Sequence, residues 1–152
     1  ITTRFIELAG EINIAMPSYV VNKLSEALDA RFAKALNGAR VLIIGVAYKK
    51  NVADVRESPA VAVMELLKRR KAEVVFHDPY VDAIPPLREH AEFVGLESQA
   101  LTPALVAAQD AVVIVTDHDN IDYALIAKSA RLIVDTRNAL AGAADRHNII
   151  KA

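Results

Sequence analysis

The sequence contains no cysteine, which excludes disulfides, thiolate metal sites and cysteine nucleophiles within this chain. It also has almost no net charge, with 18 basic residues against 19 acidic ones. No global field therefore steers it to nucleic acid or an anionic membrane surface, and any anion binding must be local. No apolar run is long enough to span a bilayer: "VLIIGVAY" is too short and "LVAAQDAVVIVT" is interrupted by Asp110. No secretory leader signature opens the chain. Nor does an initiator methionine, since it begins "ITTRFIELAGEIN", already amphipathic, as a piece of a longer protein would.

What is present is a core. The 152 residues are 53% hydrophobic with a mean hydropathy of +0.23, enough for one folded domain. Residues 3–36 have helical spacing, with Thr3 able to cap the start and Phe5, Ile6, Ala9, Ile12 and Ala15 recurring along one face. Pro17 removes a backbone donor, so a kink or restart is expected there. Val20, Val21, Leu24, Ala27, Leu28, Phe32, Ala35 and Leu36 continue the face, and Asn37-Gly38 is expected to end the helix. Such a helix serves equally as part of its own domain, as a connector or as a subunit interface.

From Arg40 the pattern becomes strands alternating with helices. "RVLIIGVAY" is apolar on both faces, as a central parallel strand must be. Ser58 and Pro59 open a helix, Val63, Met64, Leu66 and Leu67 give its buried face, and Lys68 to Lys71 crowd its far end. "AEVVFHDP" is a strand, "EFVGL" a short strand, "TPALVAAQ" a helix, "DAVVIVTDH" a strand, "YALIAKSA" a helix and "RLIVDTR" a strand. "NIIKA" is too short to assign. The expected fold is α/β: a Rossmann-like, doubly wound parallel sheet preceded by a long connecting helix. Residues 1–37 would form the helix and 38–152 the α/β domain.

Ligands of such sheets lie at the carboxyl ends of the strands, here Tyr48–Glu57, Asp78–Tyr80, Thr116–Asn120 and Asp135–Asn138. A dinucleotide fingerprint would need glycine at 45, 47 and 50, but only Gly45 is present. The loop "YKKNVADVRES" offers charged side chains instead, able to surround an anion. Alternatively Lys49, Lys50 and Arg56 are solvated and pair with Asp54 and Glu57. Arg137 ends another strand on the same edge, as an anion ligand or as a partner of Asp135. Asp78 follows Gly45 too distantly to be the fingerprint's ribose-binding acid, and an Asp-Pro turn is its expected role. "TDHDN" is no metal site on its own, because neighbouring side chains on an extended chain diverge.

"GVAYKKNVADVRESPA" followed by "AEVVFHDPYV" resembles the C-terminal domain of the UDP-glucose/GDP-mannose dehydrogenase family. "TRFIELAGEINIAMPSYVV" is similar to the connecting helix of its bacterial UDP-N-acetylhexosamine members, most like the UDP-N-acetylglucosamine 6-dehydrogenases. The resemblance implies a cytoplasmic parent enzyme of polysaccharide biosynthesis that oxidises the C6 hydroxymethyl of a UDP-sugar to a carboxylate with two NAD. An N-terminal domain would hold NAD, an upstream cysteine would carry the covalent intermediate, and this domain would close over the UDP-sugar. Tyr48 and Lys49 match the family's aromatic-lysine pair on the nucleotide sugar, and Arg137 matches its second sugar-nucleotide arginine. Arg56 matches the arginine that reaches NAD across the cleft. Homodimerisation through the helix is implied, with no catalytic residue, metal, nucleic acid or membrane partner. The piece is expected to bind without catalysing.

Two other readings differ in class. A phosphoacceptor receiver domain would need an acid pair after the first strand and a lysine ending the last, where Tyr48-Lys49 and Thr136-Arg137 stand instead. A structural dimerisation module would leave the charged loop without a ligand.

Overall fold

A computed structural model describes residues 2–152, with side chains from residue 15 onward. The chain runs α1 (Thr2–Phe32), β1 (Arg40–Ile44), α2 (Pro59–Arg69), β2 (Glu73–His77), a 3-10 turn (Ala91–Phe93), α3 (Pro103–Ala107), β3 (Ala111–Ile114), α4 (Tyr123–Ser129), β4 (Ile133–Asp135) and β5 (Ile149–Lys151). The five strands form one sheet in the order β2-β1-β3-β4-β5, and every pairing is parallel. None of the described helices is long and apolar enough to cross a membrane.

Strand alternation sends side chains to two cores. Val41 and Ile43 of β1, Val113 of β3 and Val134 of β4 face α1 and α2, joining Val20, Leu24, Leu28, Val63, Met64 and Leu67. Leu42, Ile44, Val112, Ile114 and Ile133 face the other way, joining Val106 of α3 and Ile126 of α4. The sheet is thus covered on both faces, and the α/β expectation holds. Helix α2 starts as its sequence requires, with the Ser58 hydroxyl accepting from the Ala60 amide and Pro59 at the first turn.

Four sequence expectations are corrected. Helix α1 runs through Pro17 as one element and does not restart there, since the ring's fixed φ is itself helical and only one bond of the ladder is lost. It ends at Phe32 rather than near Leu36. Ala33 turns left-handed (φ 50), and the Lys34 amide reaches back to the Leu28 carbonyl at 3.2 Å, which leaves Phe32 exposed. "EFVGL" is no strand: Phe93 and Val94 close three-residue turns onto His90 and Ala91, while the Gly95 amide donates to the Ile84 carbonyl and the Ile84 amide to the Leu96 carbonyl. "NIIKA", left unassigned, supplies the edge strand β5, paired Ile133 to Ile149.

The chain order steps from β1 out to β2, then returns to β3 on the other side of β1. Successive crossovers therefore diverge between β1 and β3, opening a crevice at their carboxyl ends. Gly45 is what lets the two strand ends approach there. Its φ is +82°, and a Cβ would lie 2.2 Å from the Thr116 carbonyl oxygen.

Candidate functional site

Three loops meet at this switch point. The loop after β1 carries Tyr48 to Arg56, that after β3 carries Thr116 to Asn120, and that after β4 carries Thr136 to Asn138. Each is pinned by a buried group. The Thr116 hydroxyl donates to the Ala47 carbonyl at 2.7 Å. Asp135 is buried and accepts from the amides of Arg137 (3.1 Å), Ala139 (3.1 Å) and Leu140 (2.9 Å). Asp78 is also buried; its Oδ1 accepts from the Tyr80 amide at 2.8 Å. Its Oδ2 accepts from the amides of Val46 (2.8 Å) and Ala47 (3.2 Å).

The Asp-Pro turn expected at Asp78 is therefore there, and the same carboxylate does more. The Val46 and Ala47 amides stand where a dinucleotide loop would cradle a pyrophosphate, and both are consumed by Asp78. With Gly45 alone of the fingerprint glycines, this loop does not fit the NAD pyrophosphate. Nor are the Asp78 oxygens free for a ribose.

The loops are also tied to one another by charge. Lys50 Nζ lies 3.0 Å from Asp119 Oδ1. The Asn51 side chain donates to Asp119 Oδ2 at 2.7 Å and accepts from the Asp119 amide at 2.9 Å. Asp119 raises the Lys50 amine above its ordinary value, chiefly through the hydrogen bond; Asp117 adds to the rise and Arg137 opposes it. The Asp119 carboxyl is correspondingly lowered, first by Asn51 and then by Lys50. Arg137 Nε meets Asp117 Oδ1 at 3.3 Å, and its terminal nitrogens have no hydrogen-bond partner among the described residues. Burial raises the Tyr123 hydroxyl well above its ordinary value, with Asp117, Asp119 and Asp135 adding to the rise.

These contacts revise the pairing expected from sequence. Arg56 does pair with Asp54, through two parallel bonds of 3.0 and 2.9 Å. That fork, with the Arg56 amide, holds the Asp54 carboxyl at about 2. Lys50 instead crosses to the β3 loop, and Glu57 makes no ion pair among the described residues. Lys49 and Tyr48 are exposed, and Lys49 has no carboxylate within ion-pair reach among the described residues. Arg137 takes Asp117 as its side-chain partner, not Asp135. The structure thus brings Lys50, Asp117, Asp119 and Arg137 together, while no described contact joins Arg56 to that group.

Sequence reasoning weighed Asp117, His118 and Asp119 only as metal ligands and gave Asn51 no role. The signal was "TDHDN" at the end of a buried strand. Considered as a metal motif it fails, yet as a set of tethers for the opposite loop it is complete. Elsewhere, ligand atoms of Glu65, His90 and Glu92 come within 4.8 Å of one another. Arg69 holds one Glu65 oxygen at 2.5 Å and His90 the other.

Two clefts lie away from the switch point. One of about 590 Å³ separates the ends of α1 and α2, lined by Ser25, Asp29, Lys34 and Arg70. Another of about 580 Å³ runs between α4 and residues 139–147. The mouth of the sheet is an open, charged face.

Comparison with known proteins fits this geometry. Residues 42–142 match the model of the UDP-glucose/GDP-mannose dehydrogenase family, UDP binding domain. A UDP-N-acetyl-D-mannosamine dehydrogenase of Pyrococcus horikoshii is 32% identical over 140 residues, covering 89% of this chain and 30% of its own length. An NDP-N-acetyl-D-galactosaminuronic acid dehydrogenase of Ralstonia solanacearum is 29% identical over 140 residues, covering 90% of this chain and 30% of its own. Among solved structures, a UDP-D-ManNAc dehydrogenase from Pyrococcus horikoshii superposes with a TM-score of 0.74 at 28% identity, over 96% of this chain and 32% of that one. This chain therefore spans about a third of the length of such relatives. By sequence and by fold, the chain belongs to the UDP-glucose/GDP-mannose dehydrogenase family, of which it holds the UDP binding domain.

Proposed function

We propose that this chain is the nucleotide-sugar-binding half of an NAD-dependent UDP-sugar 6-dehydrogenase, which oxidises a C6 hydroxymethyl to a carboxylate. An N-acetylhexosamine is the favoured sugar, because the two relatives above act on N-acetylated sugars by name. Their names carry mannosamine and galactosaminuronic acid, so the glucosamine expected from sequence is no more favoured than other epimers.

The observation that carries the reading is the incompletely used Arg137 guanidinium at the β1/β3 switch point, with exposed Tyr48 and Lys49 on the loop after β1. Arg137 spends only Nε on Asp117, leaving its terminal N–H groups for a diphosphate. Lys49 adds an uncommitted ammonium, and exposed Tyr48 a flat surface for a base or sugar. A second domain would close the other side, supplying the dinucleotide loop and the nucleophile that this cysteine-free chain lacks. Arg56 is assigned to the NAD on that other domain. Its fork must then leave Asp54, which its exposure permits.

Isothermal titration of this chain with UDP tests the assignment. Lys49→Ala and Arg137→Ala should each weaken binding roughly ten- to a hundredfold, the worth of one charge-assisted contact. Arg56→Ala should leave UDP affinity unchanged and, in the full-length enzyme, raise the NAD concentration required. If Lys49→Ala and Arg137→Ala fold normally and bind UDP as the unmodified chain does, the assignment is wrong.

A further inference from the structure

We propose that His118, as the neutral Nε2–H tautomer, is a positioning residue that sets the loop presenting Tyr48 and Lys49 to the ligand. The proposal rests on the nucleotide-sugar reading for the identity of that ligand only. The imidazole is fully buried, and both its nitrogens are engaged across long stretches of chain. Nδ1 lies 2.7 Å from the Asn51 amide nitrogen. A backbone N–H only donates, so Nδ1 must be the unprotonated nitrogen. The ring proton therefore sits on Nε2, which donates to Asp78 Oδ2 at 2.9 Å. That carboxylate oxygen also holds the Val46 and Ala47 amides.

Asp78 and His118 thus grip the β1 loop at both its ends, before Tyr48 and after Lys50. The outer grip falls on a left-handed residue, since Asn51 sits at φ 63, a conformation asparagine adopts more readily than most side chains. Its side chain is tied to Asp119, and the His118 ring supplies the acceptor for its backbone amide. The ring is itself fixed: the Tyr80 ring packs with its centroid 4.8 Å away, and the Tyr123 hydroxyl donates to the His118 carbonyl at 2.6 Å. Such a group touches no ligand, yet it decides where the backbone of residues 48–50 lies.

Two substitutions separate this role from mere stability. His118→Asn places an amide oxygen near the Nδ1 position, able to accept from Asn51, but loses the donor to Asp78. His118→Gln extends to the Nε2 position and serves Asp78, but leaves the Asn51 amide unpaired. Both should lower the melting temperature. Only His118→Gln should lose hydrogen-exchange protection at the Asn51 amide and weaken UDP binding by about three- to tenfold, as loss of one hydrogen bond would. His118→Asn should stay within about twofold of the unmodified chain. Ring nitrogen NMR of the unmodified protein should show Nδ1 bare and Nε2 protonated. A protonated Nδ1, equal Asn51 protection in both variants, or affinity losses that follow only the melting temperature would overturn the proposal. If the unmodified chain does not bind UDP at all, the functional reading falls. The grip on the loop is then decided by the tautomer and by Asn51 exchange, with protection lost in His118→Gln alone supporting it and equal protection sinking it.

Discussion

Gly45 is held in place by two independent constraints. Its φ of +82° disfavours any side chain, and a Cβ would meet the Thr116 backbone at 2.2 Å, where neither strand end can yield without breaking the sheet. Gly45→Ala should therefore destabilise the fold by roughly 3–5 kcal/mol, measured by urea unfolding; a loss below about 1 kcal/mol would mean that the strand ends can separate. In sequence this glycine stood out only as the one filled position of an absent phosphate fingerprint. Its actual partner is on another strand, so no local pattern could have revealed it. The same distance hid His118: its neighbours Asp117 and Asp119 were visible, whereas Asp78 and Asn51 come to it only through the sheet. By contrast Arg56 and Asp54 are two residues apart, and their pairing was legible. Asp54 is held at about 2 by the Arg56 fork. Because its folded value is depressed, the pair is fully present above the ordinary carboxylate range and is lost as pH falls from about 4 toward 2. Carboxyl carbon NMR should find Asp54 titrating at the bottom of that window, and a midpoint near 4 would show that the fork does not persist in solution.

Elements with strong local signals were the ones read correctly. Helix α2 has Ser58 as cap, Pro59 at its first turn and apolar residues at helical spacing, so local and tertiary preferences agree. Strands β1 and β3 are apolar on both faces because both faces are covered. Strand β5 is three residues long, too short for any period to show, and exists only because β4 offers an open edge. The end of α1 misled for a different reason. Asn37-Gly38 is the better stop signal, and Gly38 does turn left-handed (φ 81), but in the loop rather than as the helix cap. That position is taken by Ala33 at φ 50. An alanine there costs about 1–2 kcal/mol, while glycine would lose about 0.4–1 kcal/mol through extra freedom in the unfolded chain. Relief of strain outweighs that loss, so Ala33→Gly should stabilise the protein by about 0.5–1 kcal/mol. Thermal unfolding checks the sign, and a lowered melting temperature would show that the alanine is not strained.

At the scale of the whole molecule, two surfaces bear on what binds it. The charged mouth of the sheet is one, and α1 is the other. That helix is 31 residues long, about 46 Å at 1.5 Å per residue. Its described contacts with the domain core involve Val20, Val21, Leu24, Ala27 and Leu28, a stretch of about two and a half turns. Met16 and Tyr19, just before that stretch, are 38% and 46% exposed. The preceding turns carry Phe5, Ile6, Ala9 and Ile12 at helical spacing in sequence, though their side chains lie outside the described residues. An apolar row of that length is costly to leave in water, where each buried methylene is worth about 0.8 kcal/mol. A second copy of α1 presents the same row and can cover it by a two-fold operation that also covers its own. We therefore expect a homodimer in sedimentation velocity at micromolar concentration. Ile12→Glu with Tyr19→Glu should dissociate it while leaving the melting transition of the α/β domain in place, because neither residue belongs to the described core. A chain that sediments as a monomer at several hundred micromolar would rule out α1 as the seam. A dimer that survives the double substitution would move the seam to another face.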